Sequence, residues 1–216
     1  MARNTFPDTP RPFSDPADEG QSPSYHALSA LAAEAKAYLV GGSIPELETQ
    51  SKNYYNTSLV FSFFSGVLIG THRKTHPFGI DIPGKITFKE SEVGCAIFYD
   101  TRVPEPAMMA ARKGAFALIY PGAFNTITGP LHRQLLARAR AVDNQIYTAL
   151  CSPAGDVGAT YQAYGHSLVA DPSAKVLSEA EETENMIYAD LDNETMKFRK
   201  RVFRFIRSGR SICIRM

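Results

Sequence analysis

Apolar and polar positions along this chain follow two periods in alternation. Leu28, Leu31, Ala32 and Ala35 fall at i, i+3, i+4 and i+7, which predicts the core face of a helix over residues 24–37. Ser22 and Pro23 stand where an N-cap and a first-turn proline belong. Tyr38-Leu39-Val40 reads as a short buried strand ended by Gly41-Gly42. Two extended runs, 54–64 and 67–72, separated by Ser65-Gly66, predict a hairpin. The apolar run Val93–Tyr99 stops abruptly at Asp100 and leads into a helix from Pro104 to Arg112, closed by Gly114. Ala115–Tyr120 reads as a fully buried strand of the parallel kind. Leu131, Leu135, Ala139 and Val142 mark the apolar face of another amphipathic helix. Further strands are predicted at 145–150, 167–170, 176–180 and 186–191, with a turn at Asp171-Pro172-Ser173. Helices alternating with strands predict an α/β fold with a mixed sheet.

Composition divides the chain without adding a second core. Residues 1–21 are rich in Pro, Asp and Ser with no apolar period, and are expected to be disordered. Residues 22–192 form one domain, and 193–216 a basic tail. From 195 onward Lys197, Arg199, Lys200, Arg201, Arg204, Arg207, Arg210 and Arg215 meet no acid, so against a whole-chain charge of +1 the remainder stands at −7. A basic amphipathic helix is conceivable there, and a non-native extension is the reading we favour. The net charge gives no reason to expect nucleic acid or membrane as a partner. No apolar run reaches the length of a bilayer span and no leader pattern opens the chain, so a cytoplasmic setting is expected, with the mitochondrion as alternative. The three cysteines, Cys95, Cys151 and Cys213, lack metal-ligand spacing, and no cofactor is expected.

Candidate chemistry gathers after the run at 93–99. A strand that ends in a sharp turn and enters a helix lifts one side chain toward substrate, and here that side chain is Phe98. The loop 121–129, dense in Gly, Asn and Thr, suits a ligand better than packing. His72, His76, His132 and His166 are not at metal spacing and read as structural or surface residues. Arg102 reads as a loop-fixing residue paired with an acid such as Asp100 or Glu105.

Several strings together resemble the nitrilase (carbon–nitrogen hydrolase) superfamily, and within it the ω-amidase branch in its fungal form. They are 41–46 (Gly-Gly-Ser-Ile-Pro-Glu), 55–57, 72–74 (His-Arg-Lys), 81–88, 99–102 (Tyr-Asp-Thr-Arg), 120–132, 140–145, 152–154 and 164–167. They run collinearly over residues 22–192. The resemblance implies an α-β-β-α sandwich, incomplete at its N-terminus. It implies a mechanism in which a cysteine attacks an amide carbonyl, a glutamate moves its proton, and a lysine stabilises the oxyanion. By that resemblance Lys74 is the lysine, Glu90 a second glutamate and Phe98 the nucleophile position, with Tyr99, Gly122, Ala123, Phe124, Asn125 and Thr128 around the substrate.

The same comparison exposes departures. A phenyl ring cannot attack a carbonyl, and Cys95, on the opposite strand face, is no substitute. The Leu-Pro-Glu segment that carries the general base is not found ahead of the first helix. Only Ser91-Glu92 separates Glu90 from Val93, where the family has a loop and a further strand. Arg133 stands where the family usually has tryptophan, and the hairpin tip Phe63-Phe64 is unusually apolar. The expectation is a domain of the ω-amidase type, made for deamidation of short dicarboxylate monoamides, that has lost its chemistry. Its partners are then a small amide and a second copy or full-length relative in a dimer. The alternatives are a relative acting only through partner binding, or the product of a degenerate or mis-assembled gene.

Overall fold

The computed structural model of the protein describes residues 13–14, 22–48, 53–75, 93–155, 158 and 161–192. Two five-stranded sheets face each other, and helices cover their outer sides, which gives the α-β-β-α sandwich. The first sheet is built on β4 (Tyr54–Phe61). Along one edge β4 pairs antiparallel with β5 (Leu68–Arg73), from Thr57↔Arg73 to Phe61↔Leu68. Its other edge is shared in succession by β3 (Ile44–Leu47) and β2 (Leu39–Val40). Gly41 donates to the Leu59 carbonyl at 2.9 Å and keeps the ladder continuous across the jog between them. A strand at 44–47 was not expected from the sequence. Pro45 breaks the apolar run there, although it is tolerated near a sheet edge. β1 (Phe13–Ser14) adds in parallel to β3 through Phe13↔Glu46, so these two residues of the stretch expected to be disordered are paired.

The hairpin is real, but its turn runs from Ser62 to Val67 rather than through two residues. Gly66 sits at φ +66°, and a Cβ there would lie 2.2 Å from the Ser29 carbonyl oxygen. This close approach docks α1 (Pro23–Ala35) onto the sheet. Ser22 caps α1 by accepting from the Tyr25 amide at 3.1 Å. Its core face is Tyr25, Leu28 and Ala32 rather than the expected one, for Leu31 is 50% exposed and Ala35 is also exposed. Tyr25 brings the larger apolar surface and stacks edge-on against Phe61, and this turns the helix.

The second sheet has the order β10-β9-β8-β7-β6. β6 (Val93–Cys95), β7 (Ala117–Pro121) and β8 (Tyr147–Cys151) are parallel, and β9 (Leu168–Ala170) and β10 (Val176–Glu179) continue antiparallel. On its outer face Leu118, Tyr120, Leu150 and Leu168 pack with Ala107 and Ala110 of α2 (Pro104–Arg112) and Ala137 and Ala141 of α3 (Gly129–Asn144). Each large aliphatic removed from water there is worth about 1.5–3 kcal/mol.

Two expectations fail in this half. The leucine stripe of α3 faces outward, with Leu131 64% and Leu135 62% exposed. The buried face is Arg133, Ala137, Arg140, Ala141 and Asn144. Small alanines let the helix approach β8 closely enough for the Thr148 hydroxyl to donate to the Ala137 carbonyl at 2.9 Å. Both arginines bury their stems because their forks meet backbone carbonyls. Residues 186–191 form no strand, and Met186 and Tyr188 are largely exposed. Among the described residues no strand pairs with them, and a β pattern without a neighbour forms no ladder.

Buried polar contacts join the sheets. His72 of β5 lies 3.2 Å from Asp100, and the Cys95 thiol reaches the Ser58 hydroxyl at 3.5 Å. Asp100 Oδ2 also accepts the Ile97 amide at 2.9 Å. Asp100→Ala would orphan that amide and the His72 ring, and should lower stability by about 2 kcal/mol in urea unfolding. A loss below about 0.5 kcal/mol, the level of an ordinary surface change, would contradict this role.

Candidate functional site

β6 is shorter than the apolar run implied, because the chain leaves the sheet after Cys95. Residues Phe98–Arg102 coil into a single 3-10 turn before α2 begins. Phe98 sits at φ +35°, a conformation that strains any residue with a Cβ by about 1–2 kcal/mol. The turn is held from several sides. The Asp100 amide donates to the Ile97 carbonyl at 3.0 Å and the Thr101 hydroxyl to the Phe98 carbonyl at 2.7 Å. Arg140 reaches across from α3 to the Thr101 and Arg102 carbonyls. Such a strained strand-to-helix turn is what raises one side chain above a sheet.

Three elements converge on that side chain. Lys74, just beyond β5, anchors its amide on the Asn56 carbonyl at 2.8 Å and sets Nζ over the Phe98 ring, 5.1 Å from its centroid. Burial lowers its pKa below the ordinary lysine value, and the charge of Asp100 only partly opposes this. Phe124 meets Phe98 edge-on at 5.0 Å. Gly122, at φ +151°, passes so close that a Cβ would lie 2.3 Å from the Cβ of Phe98, so only glycine fits. Lys74, Phe98, Gly122 and Phe124 are thus brought together, with Tyr99 next to Phe98 in the same turn.

Other expected site residues behave differently. The Asn125 side-chain oxygen accepts from the amides of Ile127 and Thr128 and from the Thr128 hydroxyl, so that oxygen and that hydroxyl serve the loop's own turn. Ala123 is half-buried, and its carbonyl accepts from the Tyr161 hydroxyl. Glu90 and His76 lie outside the described residues. Arg102 makes no ion pair with an acid among the described residues. Instead its Nη1 lies 3.1 Å from His132 Nδ1, and its guanidinium rests against the rings of Tyr99 and Phe124, at 5.7 and 5.2 Å. The expected pairing with Asp100 or Glu105 is not made, because Asp100 turns inward to His72 and the Arg102 fork meets His132 and the two rings instead.

Nothing in the hydropathy pattern indicates what Arg133 does. Only 1% exposed, it donates to the carbonyls of His166 at 2.7 Å, Leu150 at 3.0 Å and Gly122 at 3.2 Å, beneath the Phe124 ring. Burial lowers its pKa to about 10, so it stays cationic at neutral pH. The Gly122 amide also donates to the Cys151 carbonyl at 2.8 Å, so the glycine that flanks Phe98 is fixed at both its polar atoms. Glu46 and Arg73 form a second frame behind Lys74. Glu46 takes the Thr57 hydroxyl and a two-pronged contact from Arg73, which lies over the Tyr55 ring. Cys95 is buried, with its thiol pushed up to about 12 by desolvation, and is no nucleophile at neutral pH. Cys151 ends β8 in an exposed position. Among the described residues no group of His, Cys, Asp and Glu is arranged to hold a metal ion.

Comparison with known proteins adds independent findings. The carbon-nitrogen hydrolase family matches over residues 4–201. The ω-amidase NIT3 of Saccharomyces cerevisiae is 52% identical over 199 residues, covering 84% of this chain and 68% of that protein. Hydrolase C26A3.11 of Schizosaccharomyces pombe is 48% identical over 201 residues, covering 85% and 61%. The ω-amidase NIT2 of Mus musculus is 46% identical over 197 residues, covering 83% and 70%. The chain therefore spans roughly two thirds of the length of these relatives. In three dimensions it is similar to S. cerevisiae Nit3, a member of branch 10 of the nitrilase superfamily, with a TM-score of 0.84 at 48% identity over 92% of this chain and 75% of that one. The C. elegans NitFhit protein superposes with a TM-score of 0.76 at 28% identity, covering 90% and 51%.

The geometry predicts how a thiol at the tip would behave. In Phe98→Cys, iodoacetamide should alkylate the introduced thiol readily while Cys95 stays protected in the native state, as peptide mapping would show. Faster labelling of Cys95 than of position 98 would mean that the turn does not face the site.

Proposed function

This chain belongs to the carbon-nitrogen hydrolase family, and on that premise we propose that it is an ω-amidase-type domain that receives a short dicarboxylate monoamide without cleaving it. The observation that carries the second half is the carbon side chain at the tip of the strained turn. Amide hydrolysis by covalent catalysis needs an electron pair to open the carbonyl, and Phe98 brings a closed ring to that point. The first half is supported by the surroundings. Lys74 offers a cation where a carbonyl oxygen would gain charge, and the Gly122–Phe124 segment bounds the pocket. Arg102 supplies a guanidinium for the acid end of the substrate, held in place by His132, Tyr99 and Phe124.

Succinamate is the simplest test. Purified protein should release no ammonia above the blank while succinate binds in a calorimetric titration. Arg102→Met should weaken that binding about ten-fold, the effect of losing one charge-assisted contact. Ammonia release that survives purification would overturn the inactive reading, and binding indifferent to Arg102 would remove the acid subsite.

We further propose that a partner chain packs on the outward stripe of α3. Leu131, Leu135 and Val142 are 64, 62 and 41% exposed, and Met109 of α2 is 46% exposed. Apolar residues so placed suit a second copy of this chain or a full-length relative. Leu135→Glu should convert a dimer to a folded monomer in light scattering, and a monomeric parent protein would refute the pairing. Among the described residues no helix is long and apolar enough to cross a membrane. A cytoplasmic setting belongs to the proposal and is supported by free thiols at Cys95 and Cys151.

A further inference from the structure

The hairpin between β4 and β5 ends in an aromatic tip that the proposed function leaves unused. Phe64 is 81% exposed, Val67 57%, and Tyr38, just beyond the end of α1, 62%. These side chains form one patch, for the Phe63 ring lies 3.6 Å from that of Phe64 and 4.8 Å from that of Tyr38, centroid to centroid. From Val60 to Leu68 there is no charged side chain, and the charges that most closely precede Tyr38, Glu34 and Lys36, are of opposite sign. Much of the turn's backbone is paired within the protein. The Ser62 amide donates to the Val67 carbonyl at 2.8 Å, the Gly66 amide to the Ser62 carbonyl at 3.0 Å and the Phe64 amide to the Ser62 hydroxyl at 3.3 Å. The Gly66 carbonyl accepts from the Ser29 hydroxyl at 2.7 Å. A turn paired in this way can leave water without stranding those donors and that acceptor.

We propose that this tip docks the protein on a phospholipid surface, with Phe63 and Phe64 entering the boundary between headgroups and acyl chains. Tyr38 then lies at headgroup level, where a ring that is apolar with a wet hydroxyl belongs. The size of the patch selects lipid over a protein partner. A fully covered aromatic side chain gives up about 150–250 Å², so at these exposures the tip offers about 400 Å². That is half of the about 800 Å² that each side of a stable protein complex contributes. The patch is also carried on a turn at the end of a hairpin, and a lipid boundary admits such a tip without a matching concave face. Because the tip adds no net charge, the attraction is apolar and should be indifferent to headgroup charge and to salt. A whole-chain charge of +1 gives no sign of it for the same reason.

The chain contains no tryptophan, so Phe64→Trp in the full-length protein places a single fluorophore at the tip. With phosphatidylcholine vesicles its emission should move to the blue and be quenched by lipid brominated on the upper acyl chain. Adding phosphatidylserine or high salt should change neither effect. Phe64→Ser alters a side chain that is almost wholly in water, so the urea midpoint should hold. Its binding to the same vesicles, read by flotation, should fall at least about ten-fold, the partition lost with one aromatic side chain. Emission indifferent to phosphatidylcholine vesicles, or unchanged flotation of the folded Phe64→Ser protein, would overturn the proposal. Binding that requires phosphatidylserine, disappears at high salt and leaves the introduced indole in water would assign the attraction to the cations at 197–215 and equally overturn it. A blue shift that grows with protein concentration without vesicles would give the tip to a second copy of the chain, against the lipid surface.

Discussion

The contact on which the site depends is the buried link between His72 and Asp100. One carboxylate oxygen receives the Ile97 amide from within the turn and faces the His72 ring from the opposite sheet. Both side chains are fully buried, where an unpartnered polar group would be strongly unfavourable. The pair therefore sets the distance between the sheets at the place where Lys74 follows β5 and the turn that carries Phe98 follows β6. It also closes the turn that keeps Phe98 at positive φ, a strain that persists only when its surroundings over-determine it.

Much of this was legible in the sequence because the responsible signals are local. Ser22-Pro23, Gly114 and the Asp171-Pro172-Ser173 turn act through capping and turn chemistry that each residue carries with it. Asp171, for example, accepts from the Ser173 and Lys175 amides. The resemblance placed Lys74, Phe98 and the loop at 122–124 around one point, which no periodicity could have done. What escaped is non-local. The buried face of α3 contains Arg133 and Arg140, whose burial makes sense only once the carbonyls of Gly122, Leu150, His166 and Thr101 are in reach. A hydropathy pattern naturally gave the core to Leu131 and Leu135 instead. Residues 186–191 carry a strand pattern, but a strand is a property of two segments, and among the described residues none pairs with them.

Arg133 also shows how the pocket wall keeps its shape around an altered tip. It ties three carbonyls from different elements while lying under Phe124. The face of Gly122 against Phe98 is thus held by groups that take no part in any chemistry. The turn, the glycine and the lysine are positioned by bonds that do not involve the atom at the tip of residue 98. On the proposed reading, the family architecture persists while the family reaction lacks its attacking atom.

Side chain 98 projects from the turn into contact with the amine of Lys74. A double-mutant cycle tests it most directly, with Phe98→Leu removing the ring and Lys74→Met removing the charge while similar bulk is kept. A coupling of about 0.5–1 kcal/mol between the two is expected, as for a cation over an aromatic face. Additive effects, with coupling below about 0.3 kcal/mol, are the behaviour of sites that do not touch and would contradict it.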